Sequence, residues 1–260
     1  MRLILIRHGQ TTSNTGRHLD TAAPGASLTD LGREQAQALP AALAGANIEA
    51  IYASTLRRTQ QTAAPLAVAL GLEVIVRAGL REISAGDLEM ANDEASIETY
   101  LSVTLGWADG VLETMVTGAG EDGMAVLGRF DDVVSEVVAS GIGTAVLVTH
   151  GAMIRAWAGA RCGNLPEGFA TLNAVSNTGV VVVEGTPGNW RAESWQEQAL
   201  GDPGWRMRPL MARPPRFWRG TDAVDRGRTF RGHRQARMVD QKASGRRDPE
   251  KDPAGPKPES

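Results

Sequence analysis

The chain has 260 residues, 42% of them hydrophobic, and a formal net charge of −3, which is enough for one sizeable α/β domain with material to spare. Its single cysteine, Cys162, excludes an intrachain disulfide and a cysteine-cluster metal site. Four apolar residues separate Arg2 from Arg7 and no later run reaches bilayer-spanning length, so neither a signal peptide nor a membrane span is expected, and a cytoplasmic protein is.

The small net charge hides a split. Residues 1–205 hold 12 Arg against 23 Asp and Glu, whereas residues 206–260 hold 15 Lys and Arg against 7 Asp and Glu, including all three lysines. An acidic body with a basic tail predicts two physical regimes.

Residues 2–7 (RLILIR) are apolar at consecutive positions, which predicts a buried central strand. Residues 29–44 predict a helix facing inward with Leu31, Ala36, Leu39 and Leu43 and bent at Pro40. A short strand follows at 48–54, then a helix with Ser54 as its N-cap and Gly71 closing it. Residues 72–77 read as a strand and 93–117 as a weakly patterned helix. Residues 122–139 read as a stronger helix, with Phe130, Val133, Val134, Val137 and Val138 on one face. The run at 144–150 is a buried strand, followed by a helix through Ala160. Strands at 178–184 and 190–195 form a hairpin turning near Pro187-Gly188-Asn189. Strands alternating with helices predict an α/β fold, a mostly parallel central sheet flanked by helices on both faces. After about Pro209, Arg, Asp, Gly and Pro dominate. Residues 206–260 are therefore expected to be a disordered basic tail on a domain spanning 1–205.

In such sheets ligands bind beyond the carboxyl ends of the strands. The first strand ends in Arg7-His8 and the strand at 144–149 is followed by His150-Gly151, while "STLRRTQQT" (54–62) adds Arg57 and Arg58 after the second strand. Cations in a helix's first turn oppose its dipole, which is easier to explain if one of them binds an anion.

"RHGQT" with Asn14, "LTDLG" with Gln35-Ala36, "YASTLRRTQQTA", "LREISAGDLE" and "VTHG" occur in this order over roughly residues 1–200. Together they resemble the histidine phosphatase superfamily, phosphoglycerate mutase-like branch. An isolated Arg-His-Gly is weak; five ordered motifs are specific. The resemblance implies a small phosphorylated substrate and a two-step phosphoryl transfer through a phosphohistidine on His8. It implies Arg7 and Arg58 as phosphate clamps, His150 as a further donor, and Asn14 and Gly151 at the phosphate pocket. Glu82 falls at the acid/base position. No metal and no cofactor are expected, because arginine and histidine supply the charge. These residue types suit the chemistry: neutral imidazole is nucleophilic and guanidinium matches phosphate oxygens. Burial would raise the Glu82 carboxyl and nearby arginines would lower it; the sequence leaves that balance open.

Plainer readings stand beside these. Arg57 is expected to face solvent, Glu82 reads equally as a surface pair with an arginine, and His18 reads as a loop residue. Trp107, Trp157, Trp190 and Trp195 read as packing residues and Cys162 as a small hydrophobe at a helix end. The chain departs from the family at Gln10, Ala85, Met90, Gly120-Glu121-Asp122 and the stretch 16–20, positions that bear on specificity. The substrate wall is expected within 17–26 and 83–125. The strand at 178–184 is a candidate edge for pairing between subunits, although no feature requires an oligomer. Rival functions are a phosphoglycerate mutase, a catalytically idle phospho-ligand binder, and a tail that uses its cations with Phe217, Trp218 and Phe230 to hold a nucleic acid, an acidic membrane, a protein partner or its own acidic body.

Overall fold

The computed structural model describes residues 1–196 and the pair 198–199. The expected tail, 206–260, lies outside the described residues.

Strand β1 (Arg2–Arg7) is followed by a one-turn helix, α1 (Thr12–Thr15), and by α2 (Asp30–Ala42). Next come β2 (Ala50–Ala53), α3 (Arg57–Leu70) and β3 (Val74–Val76). Helices α4 (Glu94–Gly106) and α5 (Gly123–Ala139) precede β4 (Thr144–Thr149). The described chain ends with α6 (Gly151–Arg161), the single turn α7 (Phe169–Leu172), β5 (Val180–Thr186), β6 (Asn189–Trp195) and the short β7 (Gln198–Ala199).

The strand order is β3-β2-β4-β1-β5-β6-β7. β3, β2, β4 and β1 run parallel, and β5 to β7 add antiparallel strands beyond β1. Alternate residues of β1 face opposite layers. Leu3 and Leu5 join a core with Phe130 and Val134 of α5 and Trp157 of α6. Ile4 and Ile6 join one with Leu39 of α2 and Leu66 of α3. Helices thus cover both faces, as the alternating pattern predicts.

This topology makes the site. The chain leaving β1 turns toward the α2–α3 layer, whereas the chain leaving its neighbour β4 turns into α6 on the other layer. The divergence opens a crevice at the carboxyl ends of the two strands.

Local chemistry sets the boundaries. Thr29, Asp93 and Asp122 cap α2, α4 and α5 by accepting from Gly32 N, Ser96 N and Ala125 N. Gly71 closes α3 with φ of 66°. Three expectations are corrected. Ser54 is not the cap of α3: Leu56 holds that position with no side-chain cap, and the Ser54 hydroxyl is engaged elsewhere. The helix expected over 93–117 ends at Gly106; a turn of 3-10 helix follows, and Gly110, at φ of 92°, reverses the chain. The strand at 178–184 is not an edge, because β5 lies between β1 and β6. The tryptophans pack as expected, Trp157 against both Phe130 and Trp190, and Cys162 is a buried free thiol at the end of α6 whose pKa burial pushes up to about 12.

Candidate active site

Arg7, His8, Asn14, Arg58, Glu82 and Gly151, all singled out in the sequence, line one pocket in the crevice. His150 stands behind it, fully buried, with its ring 5.3 Å from that of His8.

His8 continues β1. Its backbone N–H donates to Thr149 O of β4 at 3.0 Å, which fixes it to the strand end. Its Nδ1 lies 2.7 Å from Gly9 O. A carbonyl only accepts, so Nδ1 carries the proton and Nε2 holds the lone pair. Burial, reinforced by the charges of Arg58 and Arg7, holds its pKa well below the ordinary histidine value. His8 is thus a neutral imidazole with a defined tautomer and a basic Nε2.

The turn after His8 needs glycine. A Cβ on Gly9 would lie 2.6 Å from Gly32 O, and one on Gly32 would lie 2.1 Å from Gln10 O. This close approach accounts for the "LTDLG" segment: the start of α2 supports the His8 loop.

Arg7 Nη1 donates to Val175 O at 2.6 Å. A Cβ at Gly151 would stand 3.2 Å from Arg7 Nε, so the glycine after His150 leaves room for that guanidinium. Arg58, in the first turn of α3, is 3% exposed and donates Nη2 to Asp20 O at 2.8 Å. The Asp20 carboxylate lies 3.6 Å from Nη1, an ion pair too long for a hydrogen bond. Arg58 Nε and Nη1 and His150 Nδ1 are buried donor positions without a hydrogen-bond partner. Such groups are costly unless an occupant satisfies them. Arg57, its neighbour, is exposed as expected.

His150 Nε2 lies 2.8 Å from Ser54 Oγ. Burial, then the charges of Arg58, Arg129 and Arg7, holds its pKa well below the ordinary value. Asn14 Oδ1 accepts from Thr11 N and from Asn177 Nδ2, so the donor side of its amide has capacity left for an anion.

Glu82 is half-buried in the pocket wall, and its Oε1 accepts from Ile83 N and Met153 N. Burial raises its pKa; those two hydrogen bonds and the charges of Arg58 and Arg7 oppose this without prevailing. The open balance falls to desolvation, and the surface-pair reading is corrected.

His18 lies in a loop, but that loop lines the pocket, its Nδ1 2.9 Å from Met90 O. Leu19, Asp20 and Thr21 share that wall with Tyr100 and Leu101 of α4, within the stretches expected. Glu89 ties the wall together by accepting from Thr21 Oγ1, Thr21 N and Ala22 N. Arg155, Ala174 and Val175 also line it and were not foreseen; Arg155 donates to Ala170 O and Thr171 O. Among the described residues, no group of three or more His, Cys, Asp or Glu is placed to hold a metal ion, and no helix is long and apolar enough to cross a membrane.

Fold and site together define a phosphoryl-binding α/β protein with a histidine at its centre, and the chain belongs to the histidine phosphatase superfamily (branch 1), whose family model matches residues 3–198. The PE-PGRS family protein PE_PGRS11 of Mycobacterium tuberculosis is 35% identical over 214 residues; the match covers 75% of this chain and 36% of that protein, about a third of its length. A glucosyl-3-phosphoglycerate phosphatase of Mycolicibacterium vanbaalenii is 31% identical over 221 residues, covering 76% of this chain and 95% of the relative. The solved structure of a mycobacterial glucosyl-3-phosphoglycerate phosphatase in complex with VO3 superposes with a TM-score of 0.64 at 32% identity, covering 75% of this chain and 98% of that one.

Proposed function

We propose that the chain hydrolyses phosphomonoesters of small phosphorylated metabolites through a phosphohistidine on His8. The observation that supports this best is the convergence of a neutral His8 with buried, unpartnered donors on Arg58 and His150. In the first step Nε2 of His8 attacks phosphorus, the ester P–O bond breaks, and Glu82, protonated, delivers its proton to the leaving oxygen. In the second, water attacks the phosphohistidine, its proton passes to the Glu82 carboxylate, and the P–N bond breaks to restore His8. Arg7, Arg58, His150 and Asn14 bind the phosphoryl oxygens where charge develops, and the amide of Gly151 at the start of α6 joins them. These donors supply the positive charge, so no metal or cofactor is needed. Residues 1–205 form the catalytic unit and 206–260 the tail, and the chain works in the cytoplasm.

The mycobacterial relative bound to VO3, a mimic of phosphorus in transfer, supports the reaction class. The substrate in that relative's name points to phosphorylated glyceric-acid derivatives as the first esters to test. The test is phosphate release from a panel of monoesters with EDTA present, wild type against His8→Ala. Release that survives chelation and vanishes in the variant is the expected result; release persisting in His8→Ala would sink the proposal.

Mutase chemistry is the second reading, favoured by the resemblance to a probable phosphoglycerate mutase GpmB of Yersinia enterocolitica, 28% identical over 209 residues, covering 78% of this chain and 93% of that one. "REISAGD" here replaces the mutase-type "NERHYG"-like segment, which favours hydrolysis. Isomerisation of 3-phosphoglycerate without phosphate release would reverse that order.

A further inference from the structure

The segment that carries Glu82 runs between β3 and α4 outside any strand, yet side chains hold its backbone at five residues in a row. Five consecutive carbonyls, Gly79 to Ile83, each accept a hydrogen bond from a side chain. Arg129 of α5 donates Nη1 to Gly79 O at 2.7 Å and to Arg81 O at 2.9 Å, and Nη2 to Glu82 O at 3.2 Å. Thr149, the last residue of β4, donates to Leu80 O at 2.7 Å, and Tyr100 of α4 donates to Ile83 O at 2.9 Å. Gly79 permits the approach: a Cβ there would lie 2.3 Å from Arg129 O. Glu121 steadies the guanidinium from the other side, 3.3 Å from Arg129 Nε, and also pairs with Arg81 at 2.5 Å.

We propose that Arg129, with Thr149 and Tyr100 as lesser partners, is the positioning residue of the acid/base carboxyl Glu82. The inference rests on the assignment of Glu82 under Proposed function. A guanidinium bound to three carbonyls of one five-residue stretch, on a side chain only 11% exposed, fixes that backbone from a single rigid donor plane. Proton transfer needs this, because a donor displaced by an ångström loses much of its effect. Arg129 is not itself among the pocket-lining residues, and its three carbonyl contacts all fall on the segment that carries Glu82, although its charge also bears on His150.

The experiment uses leaving groups of different basicity. An alkyl phosphate needs its departing oxygen protonated; an aryl phosphate such as p-nitrophenyl phosphate scarcely does. kcat/KM for both esters is measured for wild type, Glu82→Gln, Arg129→Met, Arg129→Lys and the double variant Glu82→Gln/Arg129→Met. Arg129→Met is expected to lose about a hundredfold on the alkyl ester, the scale of general acid catalysis, and less than about tenfold on the aryl ester. Arg129→Lys is expected to recover part of the alkyl loss, and the double variant to fall no further than Glu82→Gln alone. Equal losses on both esters, or additive losses in the double variant, would overturn the proposal. Should Arg129→Met fail to fold, Thr149→Val and Tyr100→Phe each remove one donor, and the same selective loss on the alkyl ester is expected. Acid-quench trapping of phosphohistidine in wild type separates the two levels: no phosphohistidine overturns the reading of His8 and this proposal with it, whereas trapped phosphohistidine with uniform losses overturns the role of Arg129 alone.

Discussion

Ser54 and His150 stand 96 residues apart in sequence and meet at the ends of neighbouring strands, Oγ 2.8 Å from Nε2. Ser54 Oγ also accepts from Leu56 N and lies 3.0 Å from Thr59 Oγ1, so its orientation is held from two further sides. A hydroxyl can donate to the neutral ring or accept from the imidazolium. It therefore serves His150 in both protonation states and fixes the ring whose Nδ1 is proposed to meet the phosphoryl group. Ser54→Ala strands a buried ring nitrogen at a cost of about 1–3 kcal/mol. The expected outcome is a roughly tenfold lower kcat/KM together with a lower melting temperature, read by steady-state kinetics and thermal unfolding. Unchanged kinetics would remove Ser54 from the account.

Arg58 offers a sharper effect. It is buried, held by Asp20, and retains Nε and Nη1 for an occupant. Replacing it with alanine removes the guanidinium proposed to hold the transferring group, and the expected loss is about 10²–10³ in kcat, the scale of a deleted oxyanion donor. Arg58→Lys restores the charge without the planar fork and is expected to recover only part of that loss. The residual rate of each variant on one monoester is the measurement.

Much of this site is legible in the sequence, for a physical reason. Apolar runs that end in polar residues mark buried strands and their exposed ends, so Arg7-His8 and His150-Gly151 read directly as one edge. Two cations in a helix's first turn signal an anion, but Arg57 and Arg58 share that place, and only the family resemblance singles out Arg58. What is not legible arrives over long distances. Glu82 lies in an irregular segment whose carbonyls are satisfied by α4, α5 and β4, and no local pattern reports its burial. Asn177, which bonds both His8 O and Asn14 Oδ1, comes from the turn before β5. Arg155 reaches the pocket from α6, one turn beyond Gly151, and reads in sequence as an ordinary helix cation. Ser54 was legible as a residue of consequence but not as to its role, since a cap and a histidine partner occupy the same place in the chain.

The pH dependence follows from two opposite shifts. Attack needs His8 neutral, and its folded pKa is depressed by burial and by Arg58 and Arg7, so the acidic limb of kcat/KM lies well below the ordinary histidine value. Protonation of the leaving group needs Glu82 protonated, and its pKa is raised by burial, so the alkaline limb lies above the ordinary glutamate value. Glu82→Gln is expected to abolish the alkaline limb and leave the acidic one. Stability responds separately. His8 and His150 stay neutral in the folded state while the unfolded chain takes up protons below about pH 6.5. Their contribution is thus present above that value and is lost as pH falls toward their folded pKa values. Glu82 acts with the other sign: its folded pKa is raised, so its contribution is full below the unfolded glutamate value and declines as pH rises through the folded one. Denaturant unfolding of His150→Asn across this range is expected to show a shallower decline in acid than wild type.

Two glycines with the same backbone sign separate strain from contact. Gly25 has φ of 66°, and a Cβ there would meet Arg58 Nη1 at 2.4 Å. Gly45 has φ of 83°, with nothing within 4 Å of the Cβ position. Alanine at either position costs about 1–2 kcal/mol for the left-handed backbone. Only Gly25→Ala also pushes on the guanidinium assigned to hold the phosphoryl group. Both variants are therefore expected to lower the melting temperature by similar amounts, whereas Gly25→Ala alone raises KM or weakens inhibition by inorganic phosphate about tenfold or more, a displaced charge-assisted contact being worth at least about 1.4 kcal/mol. Equal kinetics for the two variants would mean that Arg58 moves aside at no cost to binding, and that its placement beside Asp20 is structural.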